Sequence, residues 1–328
     1  MKALVVDNSN GTPAMVMGTH KKPTPGSREL LVKVEATALN RADLLQKSKN
    51  YPVPEGASPI LGLEMAGIVE ECGEDAGDFE PGDHVMGLLA GGGYAKYCVV
   101  REDHVIKKPQ TLSFEQAAAI PEVFLTAFQG LFWLGELFED DTVLIHAGAS
   151  GVGSAAIQLA RQVPGTTIIT TAGTEEKLDF FFILGAGSTI NYKQDDFADV
   201  IFEEYGPSSV DVILDFVGAP YWHQNVDVLA LDGRMVHLGL LGGAKTKSLD
   251  LSRILRKRLT IRGSTLRNRS DEYKARLVKE FTERFYDMFD EEKIRPVIDS
   301  VYDWNDVEKA HQRMKQNKNA GKIVLTGM

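Results

Sequence analysis

Three glycines stand together at positions 148, 151 and 153, directly after a short apolar run at residues 142–146. Small and apolar residues then recur at helical spacing from Val152. Glycines lack a Cβ, so the chain can turn tightly and its N–H groups can approach a pyrophosphate. A helix beginning at Val152 would add the positive end of its dipole. The pattern of strand, glycine turn and helix therefore predicts a dinucleotide-binding turn, the alternative being a glycine-rich turn in another α/β protein.

The residues after the second predicted strand indicate which nicotinamide cofactor would bind. In this fold a carboxylate at the end of that strand bonds the ribose 2′-hydroxyl of NAD. Here strand 166–172 carries no acid and is followed by Gly173 and Thr174. Lys177 comes one helical turn later and could pair with a 2′-phosphate, and Tyr192 is a second candidate. We predict NADPH; the alternative is that Thr174 only caps a helix and Lys177 is solvated.

The cysteines and histidines predict that there is no catalytic metal. A zinc dehydrogenase of similar layout needs Cys and His ligands, and often a four-Cys structural site. Cys72 and Cys98 cannot supply these, and the seven histidines are scattered without an H-x-x-x-H pair. His146 follows a buried strand and is predicted to be a core or turn residue. Neither cysteine lies in a C-x-x-C motif, which predicts reduced thiols in a reducing compartment.

The elements that must position these residues are of two kinds. Residues 1–121 alternate between short apolar runs and Gly, Pro and Asp clusters, which predicts a β-rich, barrel-like domain with one short helix at Arg41–Lys47. Residues 122–267 predict alternating strands and helices, hence an α/β domain with a doubly wound parallel sheet. Residues 268–328 are expected to pack back on the first domain. Strands are predicted at 2–6, 30–38, 65–71, 84–88, 95–100, 142–146, 166–172, 187–191, 210–215, 233–238 and 259–263, and helices at 152–163, 174–184, 195–204 and 221–230.

The amino-acid composition is typical of a globular protein. It has 328 residues, 43% of them hydrophobic and 25% charged, which predicts about two domains. The formal net charge of −10 disfavours general binding to nucleic acid or to anionic membranes. The N-terminal apolar run is too short for a signal peptide, and the longest apolar stretch is too short to span a bilayer. We therefore expect a cytoplasmic protein.

Short motifs along nearly the whole chain carry a family resemblance. Besides the glycine turn they are residues 38–43, 60–64, 91–95, 117–122, 171–173, 229–234 and 317–324. With these motifs the chain resembles the zinc-independent quinone oxidoreductases of the medium-chain dehydrogenase/reductase superfamily. Tyr221-Trp222 and residues 264–267 most resemble its tumour-suppressor-induced subgroup. The glycine turn departs from many relatives, since Ala149-Ser150-Gly151 stands where they have two adjacent glycines.

The resemblance implies a β-rich GroES-like catalytic domain, a Rossmann domain and an active site in the cleft between them. It implies hydride transfer from NADPH to a quinone or a related enone without metal, in a homodimer or homotetramer formed through the edge of the Rossmann sheet. Zinc-binding relatives have Cys where Asn40 stands and His where Leu63 stands, which agrees with the absence of metal ligands.

The same resemblance assigns roles to individual residues. Asn40 would lie beside the nicotinamide and Tyr51 would line the acceptor pocket, where either could donate a hydrogen bond to the acceptor. The alternatives are purely structural roles: Asn40 could be a cap or turn residue, Tyr51 a packed loop aromatic and Phe216 a core residue. Together with Asn40, the predicted NADPH contacts are Thr126, Gly148, Ser150, Gly151, Val152, Gly173, Lys177, Tyr192, Phe216, Val217, Leu240 and Asn317.

Two other functions compete with quinone reduction. A 2-alkenal or enoyl-thioester reductase would share the hydride step and differ only in its acceptor. A structural role of the crystallin kind, or binding of AU-rich RNA, belongs to another class, and the negative net charge argues against RNA.

Overall fold

The computed structural model describes residues 1–9 and 11–328, which form two compact units. The first unit joins Met1–Leu125 to Leu266–Met328, so the C-terminal segment is part of the same body as the N-terminal one. The second unit is the continuous stretch Thr126–Thr265. No helix among the described residues is both long and apolar enough to cross a membrane.

The first unit is built on a seven-stranded sheet and a separate hairpin. The hairpin strands are β1 (Lys2–Asp7) and β2 (Ala14–Thr19), and the sheet strands are β3 (Glu29–Ala38), β4 (Glu64–Cys72), β5 (His84–Leu88), β6 (Tyr97–Arg101), β7 (Val105–Lys107), β14 (Ile298–Asp303) and β15 (Lys322–Thr326). The spatial order is β14-β15-β3-β4-β5-β7, with β6 also paired to β3. Antiparallel pairing dominates this sheet, and β14 and β15 pair in parallel.

Helices of the first unit pack their apolar faces into its core. The ring centre of Phe124 lies 5.4 Å from that of Phe289 and 6.3 Å from that of Phe281. These aromatic contacts fix the long helix at Asp271–Asp290, which contains Phe281 and Phe289. Its start is capped by the Ser270 side chain, which accepts from the N–H of Tyr273. These helices are α1 (Arg41–Lys47), α2 (Phe114–Ala118), α9 (Asp271–Asp290) and α10 (Val307–Lys315), and α3 (Pro121–Phe128) leads into the second unit.

The second unit is a six-stranded parallel sheet in the order β10-β9-β8-β11-β12-β13. Its central strands are nearly continuous apolar runs because both of their faces are covered. The strands are β8 (Thr142–Ile145), β9 (Thr167–Ala172), β10 (Ser188–Asn191), β11 (Val210–Asp215), β12 (Leu229–His237) and β13 (Thr260–Gly263). The helices are α4 (Gly151–Ala160), α5 (Glu175–Leu184), α6 (Phe197–Tyr205), α7 (Trp222–Val228) and α8 (Leu251–Lys257).

The α/β class predicted from the sequence is confirmed, and the local errors have physical causes. Strand β2 was not predicted because its apolar residues Val16 and Met17 are exposed, and it forms by pairing with β1. Strand β12 begins at Leu229, inside the predicted helix 221–230, because it pairs in parallel with β11. Helix α3 continues into a π-helical turn, in which the N–H of Gly135 donates to the carbonyl of Gly130 at 2.8 Å.

Candidate functional site

The glycine turn lies between β8 and α4, and helix α4 begins at Gly151, one residue before the predicted start. Ser150 caps this helix through its hydroxyl oxygen, which accepts from the N–H of Gly153 at 2.9 Å. A Cβ added to Gly148 would lie 2.1 Å from Thr170 Oγ1, and one added to Gly153 would lie 2.5 Å from the Ala147 carbonyl oxygen. At Gly153 backbone therefore passes backbone, and at Gly148 backbone passes the Thr170 side chain, at distances that only glycine allows.

The start of α4 is suited to an anion. The N–H groups of Gly151 and Val152 are in the first turn of the helix, where no carbonyl of the helix can accept from them. They point with the positive end of the helix dipole out of the carboxyl edge of the sheet. This geometry fits a pyrophosphate held by backbone amides.

A second group of polar side chains surrounds Gly173, at the end of β9. An added Cβ on Gly173 would lie 2.8 Å from the Tyr192 hydroxyl and 3.0 Å from Lys193 Cε. Lys177 is half-buried in the first turn of α5, after the N-cap residue Thr174, whose side chain makes no capping hydrogen bond. The structure thus brings Tyr192 to Gly173 and adds Lys193, which sequence reasoning missed although it adjoins Tyr192.

Loops after β11 and β12 hold three further predicted residues at the same edge of the sheet. Asp215 accepts from the N–H of Val217 at 2.7 Å, and its other carboxyl oxygen lies 2.9 Å from His237 Nδ1. Burial opposes the charge of Asp215, but the hydrogen bond from His237 keeps its pKa below the ordinary value. Phe216 is buried, in keeping with the core alternative, whereas Leu240 is 55% exposed.

The structure also places Thr126, a predicted NADPH contact, and His146, a predicted core or turn residue. Thr126 is half-buried on α3 and is the first residue of the second unit. His146 is fully buried: its ring nitrogens lie 3.1 Å from Thr171 Oγ1 and 2.7 Å from Asn225 Oδ1. The prediction that His146 is a core residue is therefore confirmed.

In the first unit, Asn40 belongs to a buried polar cluster. Its amide nitrogen donates to Glu64 at 2.8 Å, and its amide oxygen accepts from the Lys322 ammonium at 2.8 Å. Lys322 also donates to Glu64 at 2.6 Å and to the Leu39 carbonyl at 2.6 Å. Both charged side chains are at most 3% exposed. Asn40 is the N-cap residue of α1, which agrees with the alternative of a structural role. The orientation of its amide is also fixed by the Glu64–Lys322 ion pair, which sequence reasoning missed.

Two further carboxyl groups lie next to this cluster. Asp43 accepts from the N–H groups of Asn40 and Gly62, yet burial raises its pKa to about 6. Glu122 donates its own N–H to Glu64 at 2.9 Å, while its Oε2 is buried without a hydrogen-bond partner. Burial and the neighbouring charge of Glu64 raise the pKa of Glu122 to about 8.

This shift predicts how stability depends on pH. A carboxyl that binds its proton more tightly when folded stabilises the fold at low pH and loses that contribution as the pH rises through its folded pKa. We expect the free energy of unfolding to fall between about pH 4.5 and pH 8 through Glu122. Glu122→Gln should flatten this part of the profile in urea titrations. An unchanged slope would contradict the assignment, and Glu283→Gln on exposed α9 is the control.

Tyr51 is half-buried in the loop after α1, and its ring stacks against the Arg267 guanidinium at 5.4 Å. No residue among those described hydrogen-bonds its hydroxyl. Asn317 lies elsewhere in this unit, in a left-handed turn after α10, where its side-chain oxygen accepts from Arg41 at 2.6 Å. The first unit thus brings Asn40 and the buried carboxyl groups together, with Asn317 tied to the residue after Asn40.

Positions 40 and 63, where the sequence resemblance would place zinc ligands, hold unsuitable side chains. Asn40 presents an amide already bonded to Glu64 and Lys322, and Leu63 is a buried hydrocarbon. Within the described part of the chain, no three His, Cys, Asp or Glu side chains are grouped as metal ligands.

Known protein families and relatives share this two-unit architecture. The model of the alcohol dehydrogenase GroES-like domain covers residues 26–110, and that of zinc-binding dehydrogenases covers residues 151–283. The synaptic vesicle membrane protein VAT-1 homolog of Danio rerio is 30% identical over 339 residues, which span 99% of this chain and 70% of that protein. The chain belongs to the quinone oxidoreductase-like medium-chain dehydrogenases/reductases. Within that superfamily, the quinone oxidoreductase of Lama guanicoe is 29% identical over 99% of this chain and 97% of its own.

Solved structures of this superfamily superpose over the whole chain. The Escherichia coli quinone oxidoreductase complexed with NADPH has a TM-score of 0.86 at 27% identity and covers 99% of each chain. The CurK enoyl reductase has a TM-score of 0.84 at 28% identity, covering 99% of this chain and 98% of its own. The predicted family and the GroES-like and Rossmann architecture are confirmed, while the tumour-suppressor-induced subgroup stays a prediction.

Proposed function

We propose that this protein transfers hydride from NADPH to a quinone or a related α,β-unsaturated carbonyl, without a metal. The observation that carries the proposal is the carboxyl edge of the second unit's sheet. There a glycine turn that tolerates no Cβ precedes a helix start, and Tyr192 and Lys193 lie beside Gly173 where no acid ends β9. Backbone amides suit a pyrophosphate, and ammonium and phenol groups suit a 2′-phosphate.

The cofactor, when bound, supplies the hydride, and the side chains of this protein bind and orient the reactants. We propose that Lys177 and Tyr192 recognise the 2′-phosphate, with Lys193 as a third contact. Ser150, Gly151 and Val152 would hold the pyrophosphate beside the glycine at position 148. The remaining proposed contacts to NADPH are Asn40, Thr126, Gly173, Phe216, Val217, Leu240 and Asn317.

Asn40 and Tyr51 are proposed to act differently. Both ends of the Asn40 amide are held by Glu64 and Lys322, so Asn40 suits a fixed contact beside the nicotinamide. The Tyr51 hydroxyl has no partner among the described residues and can donate to the acceptor oxygen. Reduction of a quinone by hydride produces an aromatic hydroquinone anion, which needs little help from an acid. A single donor and solvent protons therefore suffice.

Removal of the Tyr51 hydroxyl tests its role. Tyr51→Phe should lower kcat/KM for a quinone about tenfold, because one hydrogen bond to a charged oxygen is lost. The measurement is NADPH oxidation at varied quinone concentration. Tyr205→Phe, on α6, is the matched control and should change nothing. If both variants match the parent protein, Tyr51 is only a packed loop aromatic.

The proposed activity is tested by NADPH oxidation with a panel of acceptors. We expect turnover of benzoquinones and naphthoquinones, with a much lower rate when NADH replaces NADPH. A small enone and an enoyl-CoA belong in the same panel, because the likeness to the CurK enoyl reductase favours an enoyl reductase as second candidate. Turnover of the enoyl-CoA alone would favour that candidate, and no turnover at all would overturn the proposal.

Assembly and location are proposed with the activity. Strands β10 and β13 are the edges of the six-stranded sheet, and a homodimer or homotetramer could form by continuing it. We propose such an assembly in the cytoplasm, with no nucleic-acid or membrane partner. Light scattering of the purified protein gives its mass, and a monomer at micromolar concentration would contradict it.

A further inference from the structure

A cavity of about 930 Å³ in the first unit has an unusual charge for this protein. Its walls come from the N-terminal hairpin, the loop after α1, the end of β5 and the segment leading into α9. The chain as a whole carries −10, but cationic side chains outnumber carboxylates in this cavity. The cations are Lys21, Arg101, Arg267, Arg269 and Lys274, and the carboxylates are Glu29, Glu55 and Asp271.

Arg267 is the most deeply buried of these cations, with 3% of its surface exposed. Its Nε donates to the Ala90 carbonyl at 2.9 Å, and its guanidinium lies 5.4 Å from the centre of the Tyr51 ring. Both terminal nitrogens, Nη1 and Nη2, are buried without a hydrogen-bond partner. A guanidinium with two parallel unused donors matches the two oxygens of a carboxylate or sulfonate. Leaving such donors unpaired in a protein interior is costly, which points to a missing partner.

Lys274 lines the same cavity and is 6% exposed. No carboxylate among the described residues lies within ion-pair distance of its ammonium. The acidic groups whose charges reach it are Asp271 and Glu122. Asp271 is half exposed and faces Arg101, while Glu122 keeps its proton near neutral pH. Neither Arg267 nor Lys274 therefore has an ion-pair partner among the described residues, although the more distant charge of Asp43 also reaches Arg267.

We infer that Arg267 and Lys274 form a site for an anionic group, a carboxylate or a sulfonate, carried by the electron acceptor. The site deepens the proposed function and rests on it, because the stacking on Tyr51 places the anion beside the proposed acceptor pocket. Arg267 would bind the two oxygens through Nη1 and Nη2, and Lys274 would add a second positive charge. Acidic quinones or enones are thus the preferred substrate class.

Binding without turnover tests the site separately from the activity. The probes are 2-naphthoate and 2-naphthamide, which differ in charge and hardly in shape, and titration calorimetry gives both dissociation constants. We expect the carboxylate to bind at least about tenfold more tightly than the amide. Arg267→Gln should remove this difference, and Arg276→Gln, on the exposed face of α9, should preserve it.

Lys274→Met provides a second variant should Arg267→Gln unfold, and it should weaken naphthoate binding with little effect on naphthamide. Each titration is repeated with saturating NADP⁺. Retained binding supports an acceptor site, whereas loss of binding means that a cofactor phosphate takes the two cations and overturns the inference. Equal affinities for both probes, or a charge preference unchanged in both variants, overturn it as well.

Turnover of charged and uncharged quinones tests whether the anion site selects the substrate. 1,4-Naphthoquinone-2-sulfonate should have a kcat/KM at least about tenfold above that of the uncharged 2-methyl-1,4-naphthoquinone, and Arg267→Gln should cancel the advantage. If the carboxylate probe binds but no quinone is turned over, the anion site stands and the proposed function fails. If both quinones react equally well in parent and variant, the site does not select the substrate.

Discussion

Replacing Lys322 by Met is expected to lower the free energy of unfolding by about 3–5 kcal/mol, the usual effect of breaking a buried ion pair. The Lys322 ammonium donates to Glu64, Asn40 and the Leu39 carbonyl at 2.6–2.8 Å. Without it, the Glu64 carboxyl group loses its ion-pair partner in a site that is fully buried. Urea unfolding followed by circular dichroism at pH 7 measures the loss.

The double variant Lys322→Met/Glu64→Leu separates the pair from its surroundings. Because the second substitution removes the unpaired charge, it should restore part of the lost stability. Lys318→Met, four residues earlier on an exposed turn, is the matched control and should change stability by less than about 0.5 kcal/mol. A loss no larger than that of the control would contradict the predicted contribution of the Lys322–Glu64 pair to stability.

The second large effect is expected at Lys177. If its ammonium pairs with the 2′-phosphate, Lys177→Ala should raise KM for NADPH about 10- to 100-fold, since a charge-assisted contact is lost. KM for NADH should change less than about twofold, because NADH lacks the phosphate. Initial rates with a fixed quinone and varied nucleotide give both constants. Lys315→Ala, near the end of α10, is the control for loss of a surface charge.

Lys193→Ala measures how far the neighbouring loop shares this task. Lys193 lies beside Gly173 in the structure, so its loss should also raise KM for NADPH, and the double variant should show a larger effect. Equal changes for NADPH and NADH in Lys177→Ala would remove the assignment of the phosphorylated cofactor.

Local patterns were sufficient for most elements and for the glycine turn on which the proposed nucleotide site is built. The glycine turn could be predicted because strand, turn and helix are consecutive in the chain, and helix α4 starts within one residue of the expected position. The strands of the parallel sheet follow from periodicity in the same way. Strand β2 escaped prediction because its apolar residues Val16 and Met17 are exposed. Strand β7 escaped prediction because it has only three residues and is formed by pairing with β5.

The sequence by itself determined the α/β class and the glycine turn, because these depend on neighbouring residues. Only the tertiary structure decided which charges meet. Glu64 and Lys322 are 258 residues apart, and Tyr51 meets Arg267 across more than half of the chain. The residues next to a lysine or arginine in the sequence do not indicate its partner. Lys322 and Arg267 become buried and meet Glu64 and Tyr51 only because the C-terminal segment packs against the N-terminal part of the first unit.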